Sequence, residues 1–451
     1  MYRDPDPRFD SLGGHPVALR PLRVGMIGMG TVGAGTFRVL ARNQALIAAR
    51  AGRGIEVVAV AVRNLARAAA IVGDGVALTD DPMQVATRPD VDVLVEVAGG
   101  TGPARDWVLG AITHGKHVVT ANKALLAEHG TAIFAAARQH GVVVAYEGAV
   151  AVSIPIVKAL REGLTANRIE WVAGIVNGTT NFILSQMRGA GLDFAQALVQ
   201  AQALGYAEAD PAFDIEGIDA AHKLALLAAN AFGMPVNFAD VQVQGITALQ
   251  PLDVACAEQL GYRIKLLAVA RRHADGIELR VQPALLPATH LLAQVNGSMN
   301  GILVQGDASG VTMYYGAGAG SEQTASAVIA DLVDVARLEG THAAQRVPHL
   351  GFHTLHPLPV LPHAAVCTQH CLRVPVHSHH GLTVVGALLA RRGVPVKRLE
   401  WMASSTGQAL QALVLTGAAP QGTIDLALQA LQGQPEVAGP CAQWRVEPLA
   451  D

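Results

Sequence analysis

Residues 205–227, GYAEADPAFDIEGIDAAHKLALL, gather five acids and one lysine in a chain that is only 15% charged. Glu208 and Asp210 fall on a loop that Pro211 stiffens, and Asp214 and Glu216 come just before a helical pattern. Asp219 and Lys223 are four residues apart on that pattern, so they share one helix face. Acids at a helix start are commonly placed by the dipole alone, and for Asp214 and Glu216 that reading stands level with a functional one. Lys223 is different. It lies in AAHKLALLAA, and a lysine on a largely buried face needs a partner or a task. A second lysine, Lys123, lies in VVTANKALLAEHG (118–130), just after a strand end, where doubly wound folds place their ligands. Two lysines and two carboxylates can bracket an amino acid. Glu208 would take its ammonium group, and a lysine near the reacting oxygen would carry the proton as hydride moves to a nicotinamide. Desolvation and the second lysine lower the pKa of such a base, and Asp219 opposes them.

The other chemical signal is Gly28-Met29-Gly30-Thr31-Val32-Gly33, which follows an apolar strand pattern and opens a helical one. Gly28 permits a tight turn, Gly30 a close approach to a diphosphate, and Gly33 close strand–helix packing. The diphosphate would sit on the helix N-terminus. Dinucleotide folds that prefer NAD carry an acid at the end of the second strand. Here that strand ends in Arg63-Asn64, and Glu56 is too early. Arg63 suits a 2′-phosphate, so NADP is favoured over NAD.

These residues need elements to position them, and three zones supply them. The segments 22–28, 55–62, 91–99, 117–121 and 142–148 read as short buried parallel strands with helical patterns between them. The fold class is therefore α/β, opening with a Rossmann-type doubly wound parallel sheet over 1–150. Residues 151–345 read as an α+β catalytic and dimerisation domain, with a helix over 152–163 and another over 325–340 that packs back on the first domain. A Pro/His-rich stretch reads as an extended linker over 346–362, and residues 363–451 follow the β-α-β-β-α-β order of a ferredoxin-like module.

Composition narrows the function classes. Lys plus Arg is 33 against 36 Asp plus Glu, which leaves no electrostatic footprint for nucleic acid. Aromatics at 4% offer few stacking platforms for bases. The stretch from Met1 to Arg20 is polar, and no run of about 18 apolar residues suggests a membrane span. Four scattered cysteines fit a reduced, cytoplasmic setting. His363, Cys367, His370 and Cys371 have spacing that suits zinc only if they lie on a helix; a polar linker with two buried thiols is favoured. Cys256 reads as a core cysteine.

The stretches 28–35, 115–130, 174–184, 205–225 and 315–332 together resemble homoserine dehydrogenases, in order, over about residues 22–340. The resemblance implies reduction of L-aspartate 4-semialdehyde to L-homoserine with NADPH or NADH, a step towards threonine, methionine and isoleucine. It implies proton transfer by Lys223, a second active-site lysine in Lys123 near the nicotinamide, and substrate binding by Glu208 and Asp219. Gly28, Met29, Gly30, Thr31, Val32 and Gly33 match the cofactor loop, and Gly205 and Gly320 match glycines on the nicotinamide side. A structural sodium or potassium ion is implied at Glu147, Val150, Val152 and Ile154. The third zone resembles an ACT module for threonine feedback, and the family resemblance implies a homodimer or homotetramer. Two departures stand out. The turn after Glu147 carries Ala151, Val152 and Ser153 where the family runs through glycines. The ACT-like loop reads His379-His380-Gly381-Leu382, without its acid. The first departure leaves an alternative, a catalytically weak amino-acid-sensing homologue. Another oxidoreductase of the same architecture, acting on a different amino-acid aldehyde, is the third reading.

Overall fold

The computed structural model describes residues 19–403, 410–447 and 449. Most of the polar N-terminal stretch, residues 1–18, lies outside the described residues. The chain opens with six strands, β1 (Leu22–Ile27), β2 (Ile55–Ala61), β3 (Ala77–Thr79), β4 (Val93–Glu96), β5 (His117–Thr120) and β6 (Val144–Ala145). They form one parallel sheet in the order β3-β2-β1-β4-β5-β6. Its strands are apolar on both faces because helices cover both. Along β4, Val93 and Val95 enter one core and Leu94 the other, as two-residue alternation requires. The sequence patterns give five of these strands; β3, three residues long, carries too little pattern to read.

The helix Ser321–Ala336 returns to this sheet late in the chain and buries Ala325, Val328 and Leu332 in the core that holds Val24 and Val95. It crosses the helix Thr31–Arg42 so closely that a Cβ on Gly35 would lie 2.4 Å from Ser321 Oγ.

Between these lies a second sheet, begun by β7 (Ile169–Ile175), β8 (Gln242–Val243), β9 (Tyr262–His273), β10 (Gly276–Pro287), β11 (Met299–Gly306) and β12 (Gly310–Ala317). The helices Gly178–Gly189, Ile218–Phe232 and Pro251–Gln259 pack on one of its faces. The helix expected over 152–163 is shorter. Only Ile156–Lys158 is α-helical, followed by a wider π turn over Ala159–Gly163. Pro155 explains the start, because the residue before a proline is pushed out of the α region.

The C-terminal strands are β13 (Cys367–Val376), β14 (Val396–Ala403), β15 (Leu410–Thr416), β16 (Ala419–Pro420) and β17 (Ala442–Val446), with helices His379–Arg391 and Gln421–Gln432. Apart from the two-residue β16, which pairs with β13, the unit runs β-α-β-β-α-β, with the order β17-β13-β15-β14. It does not stand apart. β17 pairs in parallel with β10 through Ala284↔Arg445 and Leu285↔Val446, so one eleven-stranded sheet runs through both units. Buried ion pairs reinforce the seam. Arg280 meets Glu447, Arg445 meets Glu278 at 2.7 Å, and Arg373 meets Asp253 at 2.8 Å. The stretch between the units is extended but docked: Tyr146 Oη donates to the His349 carbonyl at 2.8 Å, and Ile277 exchanges backbone bonds with Pro359 and Leu361.

Candidate active site

The helix Ile218–Phe232 is buried along every residue after Ile218, so Asp219 and Lys223 enter a dry environment with their charges. Lys223 Nζ donates to Asp219 Oδ2 at 2.8 Å and to the Val176 carbonyl at 2.7 Å. Lys123, first residue of the helix Lys123–Gln139 after β5, brings its Nζ to 3.1 Å from Asp219 Oδ1. One carboxylate therefore stands between two ammonium groups. Burial pushes the Asp219 carboxyl up, but Lys223, Lys123 and the Asn177 amide outweigh it and hold it well below the usual range. Burial pulls the Lys223 ammonium below the usual lysine value, Asp219 resists, and Lys123 adds to the lowering. A lysine in that balance gives up its proton more readily than an exposed one, which suits a group that passes a proton to and from a substrate oxygen.

These groups line a cavity of about 760 Å³. Gly205, Tyr206, Glu208 and Asp210 border it from the loop after the helix Phe194–Ala203, and Asp214 from the short helix Ala212–Ile215. Thr31, Val32, Gly148 and Gly320 close the side towards the first sheet, so the cavity spans the gap between the two sheets. Of the two acids before the helix, Asp214 borders the cavity and accepts from Asn177 Nδ2 at 2.7 Å; Glu216 does not border it.

The glycine loop leads from β1 into the helix Thr31–Arg42. That helix has Gly30 as its N-cap, with no side-chain cap, so its first turn presents bare N–H groups. A Cβ on Gly33 would lie 2.2 Å from the Gly28 carbonyl, so only glycine fits there. A Cβ on Gly30 would meet nothing within 4 Å, which leaves room over the helix end. A second cavity of about 550 Å³ continues from Gly28, Met29 and Gly30 past Val62 to Arg63, Asn64 and Arg67. Bare donors, open space and two arginines beyond them fit a dinucleotide with its diphosphate on the helix end.

The turn after β6 holds Glu147, Val150, Val152 and Ile154. The Glu147 carboxylate is buried and accepts the N–H groups of Val157 at 2.9 Å and Lys158 at 2.8 Å. The Ile154 carbonyl accepts the Ile156 N–H at 2.8 Å. Val152 has φ of 52°, the only non-glycine residue with positive φ among those described, and it borders the larger cavity. Ser153 Oγ donates to the Ala317 carbonyl at 2.7 Å and ties this turn to the Gly320 loop.

The histidine and cysteine expectations change. No cluster of three or more metal-ligating side chains occurs among the described residues. Cys367, His370 and Cys371 lie on a strand, so helical spacing does not apply. His370 bonds Gln421 at 3.1 Å, and Cys371 is in the core. Cys367 is exposed, against the expectation of two buried thiols. Cys256 is fully buried, and burial pushes its thiol up to about 11.

Two residues of the site carried no role in the sequence reading. Asn177 binds both Asp214 and Asp219, and its signal was its place at the strand-to-helix turn of GIVNGTTN. His222, one residue before Lys223, is buried between the Phe213 and Phe238 rings, at 5.4 and 4.3 Å between centroids.

Known proteins are similar to this chain in sequence and in fold. The family model described as homoserine dehydrogenase matches residues 155–333, and the model of the homoserine dehydrogenase NAD binding domain matches residues 28–147. The chain is 51% identical over 436 residues to the homoserine dehydrogenase of Pseudomonas aeruginosa, covering 96% of this chain and 100% of that one. It is 47% identical over 436 residues to the enzyme of Neisseria gonorrhoeae, with the same coverage. A solved homoserine dehydrogenase from Thiobacillus denitrificans superimposes with a TM-score of 0.91 at 51% identity, over 95% of this chain and 99% of that one. A structure of a homoserine dehydrogenase described as putative, from Archaeoglobus fulgidus, gives a TM-score of 0.62 at 35% identity, covering 99% of that chain but 70% of this one. With a nicotinamide-binding sheet, a lysine–aspartate–lysine row centred on a buried carboxylate and these full-length relatives, the chain belongs to the homoserine dehydrogenase family of oxidoreductases.

Proposed function

We propose that this chain interconverts L-aspartate 4-semialdehyde and L-homoserine, with Lys223 as the proton-transferring group. The observation that carries this is the row Lys123–Asp219–Lys223, facing a cavity that opens towards the glycine loop. In the oxidative direction Lys223 Nζ accepts the proton of the substrate hydroxyl; in the reductive direction it returns one to the new alkoxide oxygen. Lys123 sits on the side of the row nearer solvent and orients the reacting oxygen, and Asp219 holds both lysine heads in place. Glu208, which borders the cavity, takes the substrate ammonium group. NADP supplies the hydride acceptor when bound. Gly28, Met29, Gly30, Thr31, Val32 and Gly33 hold its diphosphate, Lys123, Gly205 and Gly320 line its nicotinamide side, and Arg63 pairs with its 2′-phosphate; NAD would lack that last contact.

The C-terminal unit is an ACT-like module in this reading, and its β-α-β-β-α-β order supports that. Threonine is its proposed effector, with His379 and His380 opening its first helix where an acid is usual. The sodium or potassium ion rests on the family resemblance alone. The Glu147 carboxylate is already committed to two N–H groups, so the carbonyls of Val150, Val152 and Ile154 would carry that role. A cytoplasmic homodimer or homotetramer completes the proposal.

Initial rates of NADP and NAD reduction by L-homoserine, with and without threonine, test it. Turnover with NADP preferred is expected. No turnover with either cofactor, in protein shown to be folded, would favour an amino-acid sensor and point at Ala151–Ser153.

A further inference from the structure

Asn177 ends the connection from β7 into the helix Gly178–Gly189 and is 4% exposed. Its amide does two separable things. Oδ1 accepts the Thr180 N–H at 2.8 Å and the Thr180 hydroxyl at 2.9 Å, which caps the helix. A backbone N–H can only donate, so this bond fixes which end of the amide is oxygen. Nδ2 must then face the other way. Its two hydrogens go to two carboxylates, Asp214 Oδ1 at 2.7 Å and Asp219 Oδ2 at 2.8 Å. Asp219 Oδ2 is the same oxygen that receives Lys223 Nζ, whose other partner is the carbonyl of Val176, the residue next to Asn177.

From this geometry we infer that Asn177 is a positioning residue for the proton-transferring lysine. It ties Asp214 and Asp219 together with a neutral donor, so that Lys223 bonds one carboxylate, Asp219, while Asp214 is held on the amide. The inference rests on the assignment of Lys223 above. The charged groups that bear on Lys223 are Asp219 on its own helix, Asp214 from the preceding short helix and Lys123 from the helix after β5; Glu208 and Asp210 border the same cavity. Without the amide, the buried Asp219 carboxylate and the half-buried Asp214 carboxylate repel at close range, and Asp214, left with the Thr179 side chain, can shift towards the ammonium. Asp219 also loses a donor that shares its charge, so its hold on Lys223 tightens. Both changes make Lys223 harder to deprotonate and shift its head from the reacting oxygen.

The test separates capping from carboxylate tying. Asn177→Ser and Asn177→Asp both keep an oxygen that caps Thr180, and both lose the two-pronged donor. Rates of L-homoserine oxidation with NADP are measured across pH, beside thermal midpoints, for wild type, both variants and Asn177→Ala. The expected result is kcat reduced by about tenfold or more in every variant that folds, against a small change in KM for homoserine. The acid-side limb of the kcat/KM profile should move to higher pH in Asn177→Ser. Restoration of kcat and of that limb in Asn177→Ser, with loss only in Asn177→Ala, would reduce Asn177 to a helix cap and overturn the inference. If Asn177→Ser does not fold, the isosteric Asn177→Asp decides on the same kcat criterion. A wild type without turnover overturns both this inference and the assignment beneath it; an active wild type with an equally active Asn177→Ser overturns this inference alone.

Discussion

Asp219 and Lys223, one helical turn apart, meet at 2.8 Å inside a helix whose other neighbours are almost all apolar. Removing one partner of a buried pair leaves the other charge uncompensated. In Asp219→Asn the ammonium loses the carboxylate that resists its lowering, so Lys223 should release its proton at lower pH. The acid limb of the homoserine-oxidation profile is expected to shift down, with kcat reduced about tenfold or more because the lysine head is no longer held. An unmoved limb would show that the group titrating there is not Lys223.

Arg63 borders the cavity that continues from the glycine loop, where the second strand ends without an acid. Arg63→Ala should raise the KM for NADP about tenfold or more, since a charge-assisted contact is lost, and leave the KM for NAD nearly unchanged. Equal effects on both cofactors would assign the arginine to another part of the nucleotide.

Val152 adopts a left-handed conformation with a branched side chain. That conformation costs roughly 1–2 kcal/mol for a residue with a Cβ, while the entropy of an added glycine costs roughly 0.5–1 kcal/mol. Val152→Gly should therefore hold or slightly raise the thermal midpoint. A clear fall would mean that the side chain's contacts outweigh the strain.

Burial lowers His117, His349 and His370 from 6.5 to about 4 in each case. The folded state keeps these rings neutral where the unfolded chain would charge them. Their stabilising effect is complete above pH about 6.5 and is lost as pH falls towards about 4, with up to three protons taken up on unfolding. Urea midpoints should decline between about pH 7 and about pH 5, and His349→Gln should flatten the decline. An equally steep decline in His349→Gln would refute the neutral burial of that ring.

Arg445 joins the C-terminal unit to β10 through Glu278, and both side chains are buried. Arg445→Met leaves Glu278 with Arg280 and His273 alone. The expected cost is about 3–5 kcal/mol, read from urea unfolding, with earlier proteolytic cleavage in the 346–366 stretch. Unchanged stability and cleavage would show that the seam is held by strand pairing and apolar contacts.

Some of this protein was legible without its structure because the causes are local. The strand–glycine–helix order at 22–33 sets the cofactor loop, since a backbone carbonyl 2.2 Å from a notional Cβ at Gly33 leaves no choice of residue. The four-residue spacing of Asp219 and Lys223 places both on one helix face. The strand and helix patterns after residue 363 give their order.

Other features needed the chain to fold. Lys123 and Asp219 are 96 positions apart (219 − 123), and only the approach of the first sheet to the helix Ile218–Phe232 brings them to 3.1 Å. Asn177 gains its role from two carboxylates 37 and 42 positions further on. The continuous sheet through β10 and β17 rests on two residue pairs, a register that no local pattern encodes. Sequence determined which residues could carry charge into a dry core and which turns only glycine could make, because those follow from side-chain size and periodicity. Tertiary structure decided which charges meet, because electrostatic pairing depends on distance in space, and burial removes the water that would otherwise let each charge stand alone.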